Sequence, residues 1–196
     1  KMLKFKFYVH PANTEDSSTD FQHESVLLAE GLKDIGYKVV GNCDYWYVVE
    51  EQDFLIKKDN NSTQADVHIY NISYLDFCLS NYAELDQSVC NVLIDSIDGY
   101  HTISNSKQGF YFDLILRSHY NKNISYNNNV HPWAFGVSKR MVNENDKWIS
   151  SSVEYGVFVN YRVFYNSRYI AQNEMNPLLE KKFDILNFVT DPLDGK

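Results

Sequence analysis

Residues Lys4–His10 read KFKFYVH, and residues His23–Val40 read HESVLLAEGLKDIGYKVV. The first stretch alternates and is rich in β-forming residues. Pro11 ends it, because proline cannot donate to a ladder. Ala12–Asp20 is a polar loop in which Ser18, Thr19 or Asp20 can cap a helix. The helix, about Phe21–Ile35, sets Val26, Leu27, Ala29, Leu32 and Ile35 at helical spacing, and Gly36 closes it. Tyr37–Val40 is a second strand. Strand, loop, helix, glycine, strand is a βαβ opening, and its natural outcome is a parallel sheet. No G-x-G-x-x-G follows the first strand, so dinucleotide binding of the usual kind is not expected.

Working outward, Asp66–Asn71, Cys90–Ser96, Phe112–Ser118 and Asn129–Trp133 read as further strands, and Tyr74–Leu85 and Ser138–Asn145 as helices. Asp59–Gln64 reads as a turn. Tyr45-Trp46-Tyr47 and Asp53–Lys57 fit no place in this pattern. The fold class is α/β: a Rossmann-like, mostly parallel sheet with helices on both faces. Asn143–Ser152 is polar and reads as a linker. Strand Gly156–Val163, helix Asn166–Lys182 (with Pro177 dividing or kinking it) and strand Phe183–Val189 follow. The expected organisation is therefore a domain at 2–145 and a linker with one βαβ piece at 146–196. Two strands and a helix are too little for a domain of their own. They either pad the first sheet or begin the second half of a longer protein.

The chain of 196 residues carries a net charge of −8 and no run of basic residues, which argues against a nucleic-acid partner. No apolar stretch reaches the roughly 18–20 residues that span a membrane. Cys43, Cys78 and Cys90 are odd in number and lack CxxC spacing, as expected of thiols in a reducing cytosol. A cytoplasmic protein is the expectation, soluble or peripheral at a membrane. The N-x-S/T sequons at Asn60, Asn61, Asn71 and Asn123 are expected by chance in so asparagine-rich a chain. The 15 Tyr and 12 Phe suit flat, hydroxylated ligands such as sugars, and equally the interior of a sheet protein.

In open α/β sheets ligands sit beyond the carboxyl ends of the strands. Three expected strand ends carry polar groups there. The first gives His10, with His23 opening the next helix. The fourth gives Asp95, then Asp98 and His101. The fifth gives Arg117-Ser118-His119. If these strands are parallel neighbours, all three groups face one crevice. His10 or His119 suits a general base, since imidazole titrates near neutrality. Asp95 suits a proton acceptor or a partner that orients a histidine. The alternative reading of Asp95 and Asp98 is turn formation by D-x-x-D-G. Asp95, Asp98 and His101 match no specific metal motif, and no metal site is expected. In the second segment, Asn160, Arg162 and Arg168 flank a strand-to-helix turn, a natural anion site. A nucleophile elbow, a P-loop and a strict D-x-D are absent from the sequence.

The strand, polar loop, HESVLLAEGLKDIGY and KVV resemble the opening of GT-B type glycosyltransferases. HPWAFGVSKRM, then a linker, then GVFVNYRV with Arg168 beyond it, resembles the passage between the two Rossmann-like halves of that fold. The resemblance implies transfer of a sugar from a nucleotide-sugar donor to a hydroxyl acceptor, in glycan or polysaccharide synthesis. It implies an acceptor-binding N-terminal half, a donor-binding C-terminal half, no metal and no cofactor. By that analogy His10, Asp95 and His119 are catalytic candidates. His23, Asp98, Arg117 and Trp133 are candidates to line the substrate site, and Asn160, Arg162 and Arg168 to hold donor phosphate. The chain departs from the family in lacking a glycine-rich turn after the first strand and an E-x-x-x-x-x-x-E signature. Two other readings stand beside it: a non-catalytic carbohydrate- or protein-binding module, and a hydrolase using Asp95 and Asp98 with His10 or His119.

Overall fold

The computed structural model describes residues 2–11, 22–60, 65–78, 81–97, 102–134, 136–139, 142–143, 157–159, 170–181 and 185–187. The chain divides into two compact units, Lys1–Val142 and Asn143–Lys196.

In the first unit, six strands form one sheet. They are β1 (Lys4–Tyr8), β2 (Lys38–Gly41), β5 (Val67–Asn71), β6 (Cys90–Asp95), β7 (Leu114–Arg117) and β8 (Val130–Pro132), in the order β2-β1-β5-β6-β7-β8. Every neighbouring pair is parallel. The order reverses at β1: the chain steps outward to β2 and then returns to the other side as β5. This is the topological switch point at which open α/β sheets form a crevice.

The two segments without a place in the sequence pattern form an antiparallel hairpin, β3 (Tyr45–Val48) and β4 (Asp53–Ile56). Past β4 the chain joins the outer edge of β2. Gly41 N donates to Lys57 O at 2.8 Å, and Asp59 N donates to Gly41 O at 2.9 Å. Gly41 is required by this close approach. A Cβ there would strike the Ile56 side chain and sit 3.1 and 3.3 Å from the carbonyl oxygens of Cys43 and Phe7.

Side chains alternate across the sheet. Phe7, Val9, Val39, Ile69, Val92 and Ile94 pack with Val26 and Ala29 of helix α1 (His23–Asp34) on one face. Tyr70, Leu93, Ile115 and Val130 pack with Ile72 and Leu75 of helix α2 (Ile72–Cys78) on the other. Helices thus cover both faces.

Helix α1 ends in a Schellman motif. Tyr37 N donates to Leu32 O and Gly36 N to Lys33 O, both at 2.9 Å, with Gly36 at φ +91°. Where a single helix over Tyr74–Leu85 is expected, α2 instead starts directly off β5 and is followed by a 3-10 turn at Tyr82–Glu84. Asparagines explain the difference. Asn71 Oδ1 accepts Ser73 N at 2.9 Å and opens α2, and Asn81 Oδ1 accepts Ala83 N at 3.0 Å and opens the second turn. Strand β7 begins at Leu114 rather than Phe112. Phe112 N is held by Gly109 O, closing a 3-10 turn, and its buried ring meets Tyr70 and Tyr82.

In the second unit β9 (Val157–Val159) and β10 (Ile185–Asn187) pair in parallel. Between them in sequence lie a π-type turn at Ala171–Met175 and helix α3 (Asn176–Glu180). Pro177 lies at the start of α3. It lacks the N–H that would continue α-helical bonding into the preceding turn, which is where the geometry widens.

Candidate functional site at the carboxyl edge of the sheet

β1 ends at Tyr8, and the backbone groups of Val9 and His10 beyond it take partners outside the ladder. Two side-chain amides supply them. Asn42 accepts from Val9 N and donates to Val9 O, both at 2.9 Å. Gln22 accepts from His10 N at 2.6 Å and donates to His10 O at 3.0 Å. Gln22 Nε2 also lies 3.4 Å from the Tyr45 hydroxyl, tying the hairpin to the same point. The half-buried His10 is therefore set on a backbone held from both sides.

Gln22 opens a run of four consecutive residues that reach four parts of the edge. The His23 ring lies 6.3 Å from that of Trp46. The buried carboxylate of Glu24 receives the Ser118 hydroxyl, beyond β7, at 3.4 Å. Ser25 Oγ accepts from Asn71 Nδ2, at the end of β5, at 3.0 Å. Consecutive helical residues project about 100° apart, so one turn standing over the switch point can reach strands on either side. His23 Nε2 is buried and has no hydrogen-bond partner among the described residues.

Asp95 and Arg117 occupy the opposite face. They are register partners across β6 and β7 and form a fully buried ion pair, Arg117 Nη1 to Asp95 Oδ1, at 2.8 Å. Asp95 Oδ1 also accepts Ile97 N at 3.2 Å, and its Oδ2 accepts the Ser104 hydroxyl. Both carboxylate oxygens are thus engaged inside the protein.

Of the three sequence-expected groups, Ser118 in the third reaches Glu24, two residues from the Gln22 that holds His10, whereas the side chains of Asp95 and Arg117 turn to the other face. Strand β5 lies between β1 and β6, and Asp95 and Arg117 face away from the side that α1 covers. His119 is exposed in the turn after β7. Trp133 follows the edge strand β8 and bonds through its backbone N to Arg117 O at 2.9 Å. Its sheet position is four strands from β1, about 19 Å at ordinary strand spacing. Asp98, Asn160, Arg162 and Arg168 lie outside the described residues. No group of three or more His, Cys, Asp or Glu suited to a metal ion occurs among the described residues.

The hairpin adds a cavity that the sequence pattern did not suggest. It measures about 500 Å³ and is lined by Pro11, Cys43, Asp44, Tyr45, Trp46, Tyr47 and Phe54. That size and its mainly apolar lining are ordinary for a small-molecule site. Tyr45 and Tyr47 pair with Ile56 and Phe54, and the register skips Trp46. Trp46 has φ +59°, in the left-handed region. For a bulky residue this costs of order 1–3 kcal/mol and clusters at functional sites. Its consequence here is geometric. A regular strand sends successive side chains to opposite faces, whereas all three aromatics line this cavity. The signal in the sequence was the run of three aromatics at Tyr45–Tyr47, which periodicity alone could not assign.

Searches against protein-family models, curated proteins and solved structures found no match to the chain.

Proposed function

We propose that this chain is the acceptor-side half of a glycosyltransferase of GT-B type, followed by the start of the donor-side half. It moves a sugar from a nucleotide-sugar donor to a hydroxyl acceptor in glycan or polysaccharide synthesis, in the cytoplasm and without a metal. The observation that carries this reading is the convergence of Gln22, His23, Glu24 and Ser25 on the carboxyl edge at the switch point, beside His10. The sheet order supports it. With Lys57–Asp59 at the outer edge of β2, two segments step outward from β1 before the chain returns to its other side, an order compatible with a Rossmann-like sheet. The parallel β9–β10 pair with a helix between them is compatible with the opening of a second such half. No helix among the described residues is long and apolar enough to cross a membrane.

Within this reading His10 is the leading base, because its backbone is held on both hydrogen-bonding groups at the crevice. His119 is the second candidate, with His23 contacting substrate. The engagement of both Asp95 oxygens favours a positioning role for that residue over proton transfer, and weighs against a hydrolase built on it. The test is nucleotide release from a panel of uridine-, guanosine- and cytidine-diphosphate sugars, with hydroxylated acceptors present. Release that falls at least about tenfold in His10→Ala, with folding retained, is the expected result. No release from any donor would leave the second reading, a non-catalytic carbohydrate-binding module, which the same enclosure of Asp95 favours.

A further inference from the structure

The cavity beneath the β3–β4 hairpin is made of residues to which the catalytic reading assigns no role. Four of its seven described lining residues are aromatic, and three of those are consecutive in sequence. Bringing Tyr45, Trp46 and Tyr47 to one cavity requires the left-handed backbone at Trp46. The cavity is not a by-product of ordinary strand packing, since the regular alternation would have turned Trp46 away from it. Tyr47 is 47% exposed, so its ring is open to a ligand, and its edge-on contact with Phe54 at 5.6 Å holds it in place.

The polar groups specify the ligand further. Asp44 is the one charged side chain among the described lining residues, and one of its oxygens is anchored by Lys58 N at 2.8 Å. Tyrosine hydroxyls and the indole N–H add donors and acceptors. No Lys or Arg is among the described lining residues. Asp44 would repel a diphosphate, and the described lining side chains supply none of the guanidinium or ammonium groups that phosphate binding uses. A neutral sugar ring meets none of this. Its C–H faces lie flat on aromatic rings, and its hydroxyls donate to a carboxylate.

We infer that this cavity is a binding site for a neutral saccharide, with Trp46 and Tyr47 as the stacking surface and Asp44 as the hydroxyl acceptor. Identifying that saccharide with the acceptor of a transferase rests on the function proposed above; the binding itself does not. The cavity adjoins the crevice through two contacts, Gln22 to the Tyr45 hydroxyl and His23 to Trp46. A saccharide seated there would extend from the hairpin towards His10.

The experiment is saturation-transfer NMR and a binding titration on the full chain. The probes are maltotriose, cellotriose, mannotriose and chitotriose, with uridine diphosphate as the charged competitor. At least one trisaccharide is expected to bind, and uridine diphosphate is expected not to displace it. Trp46→Gly is the deciding variant, because glycine accepts φ +59° without strain while removing the ring. It should weaken binding at least about tenfold. If circular dichroism shows that this variant is unfolded, Tyr47→Ala decides in its place. Absence of binding by all four sugars, displacement by uridine diphosphate, or unchanged affinity in the deciding variant would overturn the inference. Saccharide binding without nucleotide release would sustain the cavity while removing the transferase reading, so the two fail separately.

Discussion

Arg117 Nη1 lies 2.8 Å from Asp95 Oδ1, and both side chains are sealed from solvent. The pair joins β6 to β7 just where the strands end, and Ser104 and Ile97 N complete the carboxylate's bonds. Removing one partner leaves a buried charge uncompensated. Arg117→Met should therefore cost about 3–5 kcal/mol, and the double variant Asp95→Leu with Arg117→Met clearly less. Urea midpoints of the three proteins check this. An Arg117→Met midpoint equal to the parent's would mean that the pair is not structural.

Gln22 is the side chain that holds both backbone groups of His10. Gln22→Ala leaves these groups without their amide partner. A loss of about 1–3 kcal/mol is expected, the cost of unpaired buried polar groups. Hydrogen exchange at the His10 amide should accelerate more than exchange at amides in β6. Equal acceleration everywhere would point to general destabilisation instead.

Two glycines should respond in opposite directions to alanine. Gly41→Ala forces a Cβ against Ile56 and two backbone carbonyls, and should destabilise by about 1–3 kcal/mol. Gly31 sits in α1 on an ordinary helical backbone, and an alanine methyl there would meet nothing within 4 Å. Gly31→Ala should stabilise by about 0.5–1 kcal/mol. Thermal unfolding midpoints of the two variants read the sign directly.

Tyr8 and Tyr70 stack at 4.5 Å on the face that α2 covers. Burial, reinforced by the neighbouring Tyr74, pushes the Tyr8 phenol up to about 12, and burial raises that of Tyr70 as well. In the unfolded chain both ionise near 10. Above that pH the unfolded state has lost protons that the folded state keeps. Their contribution to stability is therefore intact below pH 10 and is lost as pH rises towards 12. Lys6, lowered by burial, acts in the opposite sense, its contribution growing as pH rises towards 10.5. Urea unfolding across this range should show falling stability above pH 10, with a shallower fall in Tyr8→Phe. An unchanged slope in that variant would reject the assignment.

The opening βαβ unit could be read from local chemistry. Val26, Ala29 and Leu32 repeat at the helical period, Gly36 supplies the positive φ of a Schellman stop, and β1 is a run of β-formers closed by Pro11. Parallel pairing then follows from the crossover, and a parallel sheet brings the carboxyl ends of its strands to one edge. Local sequence determined these features because helix period, capping and strand propensity act within a few residues. Tertiary structure alone decided the rest. Strand order placed β5 between His10 and Asp95, and the alternation of side chains turned Asp95 and Arg117 towards each other on one face while Ser118 met Glu24 on the other. The pairings of Gln22 with His10, Asn42 with Val9 and Ser25 with Asn71 join residues distant in sequence, and ordinary polar residues carry no mark of such a role. The hairpin is the clearest case. Three adjacent aromatics state that something must be buried or bound, but only the left-handed turn at Trp46, held between the paired residues on either side, sets all three around one cavity.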